Sequence, residues 1–220
     1  MREQNLKAKL IDYLLLQRRD EAIISCEVPF ADGRRRADLI SIGEACTAYE
    51  IKGDLDNLDK LSGQIKDYQD CFEKLVVVTT PKHIKSVKAE VPRSVGIIAF
   101  EGGAFGVVRN PIRRRMLRKY PLVSLVTRDE LVEVVRNYGT QRTRLGRDVA
   151  SLRRHLADKA TVDELRQMAY RSLFKRSLPK YEAFMKNRGQ VTHPDDLYFL
   201  TNSPPAVLRS FMEGHQSSFW

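Results

Sequence analysis

The stretch RRRADLISIGEACTAYEIK, residues 34–52, predicts a β-hairpin. Its apolar residues alternate in two segments, at about residues 36–42 and 46–52, which are joined by a short turn. If the turn is unbulged, the antiparallel register places Asp38 directly opposite Glu50. The hairpin therefore brings two carboxylates together on one face of a predicted sheet.

Two carboxylates that face each other repel, so this hairpin needs a positive charge between them. A divalent cation such as Mg²⁺ would supply it, because carboxylates and water are its preferred ligands. Lys52 shares the face of Asp38 and Glu50, and it would orient or deprotonate a metal-bound water that attacks a phosphodiester. The alternative is a surface hairpin whose charges are solvated, or in which Lys52 pairs with a carboxylate.

These residues resemble the PD-(D/E)XK nuclease superfamily. Ala37-Asp38 stands where that family has Pro-Asp, and Glu50-Ile51-Lys52 matches (D/E)XK, although the Pro is missing. The resemblance implies a restriction-endonuclease-like α/β core of a helix, a three-stranded meander, a second helix and a strand, over about residues 1–110. It also implies that Asp38 and Glu50 bind Mg²⁺ or Mn²⁺ and that Lys52 acts on the attacking water.

A further carboxylate often completes the metal site of this family. Glu3 lies in the first turn of a helix predicted for about residues 3–19, and Glu27 lies on a strand predicted for about residues 22–28. The sequence does not choose between them. Glu3 also has an ordinary explanation, since it complements the dipole at a helix N-terminus.

Gln64 and Tyr68 lie on a helix predicted for about residues 56–72. Their spacing is similar to the Q-x-x-x-Y motif of the RecB-like and phage exonuclease branch. There the Gln approaches the active site and the Tyr contacts the nucleic-acid backbone. Tyr68 also fits the apolar stripe of this helix, so burial in the core is the alternative. Further strands at about residues 74–80 and 95–100 complete the expected sheet.

The positive charge is concentrated in the second half of the chain. Residues 1–110 carry 17 basic and 17 acidic residues, whereas residues 111–220 carry 21 and 11 and hold the whole net charge of +10. We expect a catalytic domain over the first segment and a basic, mainly helical region over the second, which binds nucleic acid or a partner. A solubilising surface is the alternative.

Two arginine clusters are the strongest local signals for nucleic acid. The residues expected to contact phosphates are Arg34, Arg35 and Arg36 beside the hairpin, and Arg113, Arg114 and Arg115 at the start of the basic region. Arg142, Arg144, Arg147, Arg153 and Arg154 fall on a predicted basic helix. Beyond Phe174, prolines from Pro179 onward predict shorter segments.

No apolar run approaches the ~20 residues of a membrane helix. The N-terminus lacks the apolar core of a signal peptide, so a cytoplasmic location is expected. Three cysteines without metal-ligand spacing disfavour zinc and disulfides.

The sequence thus predicts a Mg²⁺- or Mn²⁺-dependent nuclease that hydrolyses DNA, with RNA as the alternative substrate. The second hypothesis is a catalytically inactive nuclease-fold protein that acts as a DNA-binding or regulatory module. The oligomeric state is left open.

Overall fold

The computed structural model describes residues 1–17, 22–137 and 148–201. Among these residues, six strands form one mixed sheet in chain order. The strands are β1 (Ile23–Phe30), β2 (Arg35–Ile42), β3 (Cys46–Lys52), β4 (Lys74–Thr79), β5 (Gly96–Glu101) and β6 (Ala104–Arg109). The first three form an antiparallel meander, β4 and β5 continue parallel to β3, and β6 returns antiparallel.

Helices cover the sheet and extend the chain beyond it. They are α1 (Glu3–Leu16), α2 (Leu61–Cys71), α3 (Pro81–Glu90), α4 (Lys119–Val123), α5 (Arg128–Asn137), α6 (Val149–Lys159) and α7 (Val162–Asn187), followed by a 3-10 helix (Pro194–Leu200). The helices α2 and α3 make the crossovers that parallel strands require. The prediction of an α/β fold is confirmed at this level, and the restriction-endonuclease-like core stays a prediction.

The central hairpin has the predicted register. Leu39 pairs with Tyr49, and Ile42 pairs with Cys46, so the turn is unbulged. The alternation of apolar residues specifies this register because a slip by one residue would turn every buried side chain toward solvent.

Helix α2 begins at Leu61, about five residues later than the apolar pattern predicts. The preceding segment is held in a turn instead: the side-chain amide of Asn57 donates to Asp59, whose backbone N–H donates back to Asn57. Short polar side chains of this kind compete with helical hydrogen bonds, which explains the late start.

The prediction that the chain breaks into short segments after Phe174 is wrong. Helix α7 runs without interruption from Val162 to Asn187 and contains Pro179. Thr161 and Glu164 form a capping box at its start. The helix continues past the proline because its buried face packs into the core, which outweighs one missing hydrogen bond.

One continuous apolar core joins the two halves of the chain. It includes Leu39 and Ile51 of the sheet together with Leu165 and Phe184 of α7. The division of the chain at residue 110 stays a prediction. Arg142, Arg144 and Arg147 of the predicted basic helix lie outside the described residues, as do residues 202–220. Among the helices described, none has the length and apolar character needed to cross a membrane.

A close backbone approach fixes the start of the basic region against the sheet. A Cβ added to Gly96 of β5 would lie 2.8 Å from Cδ and 2.9 Å from N of Pro111. We expect Gly96→Ala to lower the free energy of unfolding by about 1–3 kcal/mol, because the backbone must move apart. Urea unfolding measures this effect.

Gly106→Ala on β6 is the matched control, since an added Cβ there meets nothing within 4 Å. Equal midpoints of unfolding for the two variants would contradict the predicted contact.

Candidate functional site: a charge-balanced carboxylate cluster

The three strands of the meander bring three acidic residues together. The registers of β1 with β2 and of β2 with β3, continued by one residue, set Asp38 beside both Glu27 and Glu50. Helix α1 adds Glu3 from above the sheet, where one oxygen each of Glu3, Glu27 and Asp38 lie within 4.8 Å of one another. We call Glu3, Glu27, Asp38 and Glu50 the carboxylate cluster. All four were selected from the sequence. The structure groups Glu3, Glu27 and Asp38 within this distance, whereas Glu50 lies beside Asp38 but is not part of that group.

Glu50 is only 1% exposed, and both of its oxygens are engaged. Oε2 accepts a hydrogen bond from the Tyr68 hydroxyl at 2.7 Å, and Oε1 forms an ion pair with Lys52 at 2.7 Å. Lys52 also donates to Oε1 of Gln64 at 3.2 Å. The four residues predicted on β3 and α2 are therefore one connected network.

Tyr68 belongs to the core in this structure. Its side chain is 1% exposed and packs against Phe30 and Phe72. Burial, together with the neighbouring carboxylate of Glu50, raises the pKa of Tyr68 well above its ordinary value, so the hydroxyl keeps the proton that it donates. The contact of Tyr68 with nucleic acid stays a prediction, and in this structure the ring is buried between Phe30 and Phe72.

Asp38 lies at the end of the paired segment of β2 and β3. Its Oδ2 accepts a hydrogen bond from the backbone N–H of Ile51 at 2.7 Å. Burial, and then the charge of Glu50, raise the pKa of Asp38 to about 8. The charge of Lys7 and the hydrogen bond from Ile51 act in the opposite direction and lower this pKa in part. The carboxylate cluster therefore needs positively charged side chains nearby to balance its negative charge.

Lys7 provides much of this positive charge. Its role was not predicted from the sequence. Its side chain is 3% exposed, forms an ion pair with Glu27 and lies 3.2 Å from Glu3. Burial alone would lower the pKa of Lys7, but the carboxylates of Asp38 and Glu27 outweigh it and raise the pKa. The available signal was its position next to Leu6 on the apolar face of α1, where lysine is uncommon.

The backbone of Glu27 is left-handed, with φ of 54° within β1. This conformation is uncommon for a residue other than glycine and costs about 1–3 kcal/mol. It accompanies two ion pairs, because Glu27 contacts Lys7 through Oε1 and Arg36 through Oε2. Glu27 is therefore held between the cluster and the arginines that follow.

The donor set fits a hard cation. Glu3, Glu27 and Asp38 offer carboxylate oxygens at mutual distances that a Mg²⁺ or Mn²⁺ ion would span, and oxygen is the ligand these ions prefer. Lys7 contacts two of the same carboxylates, so an incoming ion meets a positive charge already in place.

The six arginines predicted to contact nucleic acid have different surroundings. Arg34 donates from Nε to the carbonyl of Ala31, and Arg35 pairs with Asp67. Arg113 pairs with the buried Glu73 and with Glu44, which fixes the basic segment to the core. Arg114 is half-buried and Arg115 is exposed. Their contacts with nucleic acid stay predictions.

Comparison with known proteins identifies the family. Residues 1–201 match the family model of bacteriophage P4 protein cII. Protein cII of Enterobacteria phage P4 is 30% identical over 182 residues, which cover 80% of this chain and 68% of that protein. The chain belongs to the phage P4 cII family. A solved structure of a protein of unknown function from Silicibacter pomeroyi has a TM-score of 0.42 at 13% identity, covering 66% of this chain and 95% of that one.

Family membership overturns the prediction of a metal-dependent DNA nuclease. The match covers residues 1–201 and so includes every predicted site residue, which places them in a cII-type protein. The predictions of an enzyme and of hydrolase chemistry are therefore wrong. The physical reason is that carboxylates and lysines at this spacing also make a self-balancing structural cluster. The resemblance to PD-(D/E)XK proteins and the Mg²⁺ or Mn²⁺ site stay predictions.

The role of Lys7 predicts a large effect on stability. Lys7→Met removes the buried ammonium that pairs with the half-buried carboxylates of Glu3 and Glu27, so we expect the free energy of unfolding to fall by about 1–3 kcal/mol. Urea unfolding measures the loss. Lys9→Met is the control, since it makes the same change on the same helix at an exposed position. Adding Glu27→Gln to Lys7→Met should restore part of the loss, and a purely additive double variant would argue against the pairing.

The raised pKa of Asp38 predicts a dependence of stability on pH. The folded protein keeps this proton up to about pH 8, whereas the unfolded chain releases it near pH 4. The stabilisation from the bound proton is complete below about pH 4 and is lost as the pH rises toward 8. Asp38→Asn lacks this titration, so its stability relative to wild type should increase from pH 5 to pH 8. Urea midpoints with a constant difference across that range would contradict the assignment.

Proposed function

We propose that this chain is a non-catalytic, DNA-binding regulatory module that retains a restriction-endonuclease-like core as its scaffold. The observation that carries the proposal is the position of the arginine turn, residues 31–36. This segment runs from a turn into the start of β2 and carries three consecutive arginines, of which Arg36 pairs with Glu27 of the carboxylate cluster. It is also tied to the basic half of the chain. Arg153 of α6 forms that tie by contacting Asp32 of the turn and the carbonyl of Ser124.

The arginine turn is suited to phosphate. Arg36 is 68% exposed in its side chain, and Arg34 is also exposed. The contacts of Arg34 with Ala31 and of Arg36 with Glu27 both use Nε, which orients each guanidinium. An oriented guanidinium binds a phosphate with less loss of conformational entropy than a flexible lysine does.

The tie to α6 extends the basic surface. Arg154 is exposed next to Arg153, and the sequence from residue 111 onward carries all of the net charge of +10. A protein that neutralises several phosphates releases their counterions, so its affinity for DNA falls steeply as salt rises.

The remaining parts of the proposal rest on the fold and the family. The order of α1, the β1–β3 meander, α2 and β4 supports a restriction-endonuclease-like core. The relation to phage P4 protein cII supports regulation in place of hydrolysis. A DNA-bound module of this kind acts in the cytoplasm.

A divalent cation remains part of the proposal as a structural ligand. Glu3, Glu27 and Asp38 would hold Mg²⁺ or Mn²⁺, and the bound ion would supply positive charge next to the arginine turn. The ammonium of Lys7 opposes its binding, because the two cations share carboxylates.

Duplex DNA tests the proposed function. We expect salt-dependent binding without cleavage in Mg²⁺ or Mn²⁺, and we expect Arg34→Gln with Arg36→Gln to reduce the slope of log affinity against log salt by about 2. Fluorescence anisotropy across a salt series measures the slope, and gel electrophoresis of linear and circular DNA measures cleavage.

The matched control is Lys85→Gln with Lys88→Gln, which removes the same charge from exposed positions on α3. An equal change in slope for both pairs would show that net charge, and not the arginine turn, sets affinity. Metal-dependent cleavage that disappears in Lys52→Ala would overturn the non-catalytic proposal.

A further inference from the structure

A cleft of about 910 Å³ lies between the arginine turn and the 3-10 helix. One wall carries Arg34, Arg35 and Arg36, and the opposite wall carries Asp195 and Tyr198. Glu3, Lys7 and Glu27 also line this cleft. The arginine wall therefore carries three guanidinium groups, of which Arg35 pairs with Asp67 and Arg36 pairs with Glu27. The other wall offers an aromatic ring and an acidic hydrogen-bond acceptor.

Tyr198 is 51% exposed although it lies on a well-anchored element. Leu197 and Leu200 on either side of it are buried, and the carbonyl of Leu200 accepts a hydrogen bond from Ser25 of β1. Asp12 of α1 accepts hydrogen bonds from the backbone N–H and the hydroxyl of Thr192, just before the 3-10 helix. The ring is thus held at the cleft without being needed for the core.

We propose that this cleft binds single-stranded nucleic acid, with its phosphate backbone along the arginines and a base stacked on Tyr198. This inference rests on the proposed function, which it narrows to one surface and one form of nucleic acid. Aromatic rings beside a basic track are the usual means of holding single strands, because every base has a face that can stack.

The separation of charge across the cleft favours one strand over two. A duplex carries two phosphate backbones, and a duplex entering the cleft would bring the second one toward Asp195, on the wall opposite the arginines. Its bases are also stacked on each other and cannot reach Tyr198. A single strand places its one backbone on the arginine wall, and its bases then face Tyr198 and Asp195, where a carboxylate accepts hydrogen bonds from exocyclic amino groups.

The size of the cleft agrees with this occupant. A volume of about 910 Å³ lies near the upper end of the ~300–1,000 Å³ typical of sites for small ligands, so the cleft has room for a short segment of one strand.

The test compares a short fluorescein-labelled DNA strand, the same strand annealed to its complement, and a nucleoside monophosphate. We expect the full chain to bind the single strand several-fold more tightly than the duplex. Tyr198→Ser should weaken binding of the single strand by roughly 10-fold, the loss of one stacked base, and should hardly change binding of the duplex. Tyr198→Phe, which keeps the ring, should restore most of the affinity.

Phe174→Ser is the matched control, since it removes an exposed aromatic ring from α7, outside the cleft. A spectroscopic readout adds a measure of stacking that a structural defect would not produce. In a chain in which Trp220 is replaced by Phe, Tyr198→Trp should lose fluorescence when the strand binds, whereas Phe174→Trp should not.

Each outcome bears on one of the two proposals. Equal binding of strand and duplex, unaffected by Tyr198→Ser but weakened by the arginine substitutions, would overturn the cleft as a single-strand site and leave the proposed function standing. Binding of the monophosphate as tight as that of the strand would also overturn it. Absence of binding to every DNA probe would overturn the proposed function itself.

Discussion

The ammonium of Lys7, 3% exposed and surrounded by carboxylates, is the constraint on which the centre of this molecule depends. The meander places Glu27, Asp38 and Glu50 on neighbouring strands, where their mutual repulsion opposes the pairing of the sheet. Lys7 offsets this repulsion from the helix side, and Lys52 offsets it from within β3. The ion pair of Lys7 with Glu27 also fastens α1 to the sheet. The same ammonium therefore positions the first helix and balances the charges of the strands.

Much of this arrangement could be predicted because it depends on local periodicity. The alternation along residues 36–52 determined the register, and the register determined which carboxylates meet. Gln64 and Tyr68 followed from helical spacing and reach Lys52 and Glu50 as neighbours in the structure.

Two features could not be read from the same patterns. Lys7 was not predicted because its position among apolar residues of α1 gives no reason for burying a charge, and the reason appears only when acids from three other positions in the chain meet it. Pro179 gave a misleading signal, since the propensity of one residue to end a helix is overridden by the packing of a long buried face.

The function was misread for a chemical reason. A metal-dependent hydrolase and a self-neutralised structural cluster require the same residue types at the same spacing, because both must reconcile several carboxylates in a small volume. The position of these residues in the fold does not distinguish a hydrolase site from a structural cluster. What separates them is the family to which residues 1–201 belong, and after that the features of the surface outside the cluster.

Glu27 connects the cluster to that surface. Its backbone is left-handed, with φ of 54°, and its carboxylate contacts Lys7 through Oε1 and Arg36 of the arginine turn through Oε2. Under the proposed function, a phosphate bound by Arg36 would compete with Glu27 for the same guanidinium and would leave more of the charge of Glu27 to be balanced by Lys7. Because Lys7 also pairs with Glu3 and lies near Asp38, such a ligand would change the electrostatic balance of the carboxylate cluster. The strained backbone of Glu27 thus lies between the ion pair that holds α1 to the sheet and the arginine that would bind the ligand.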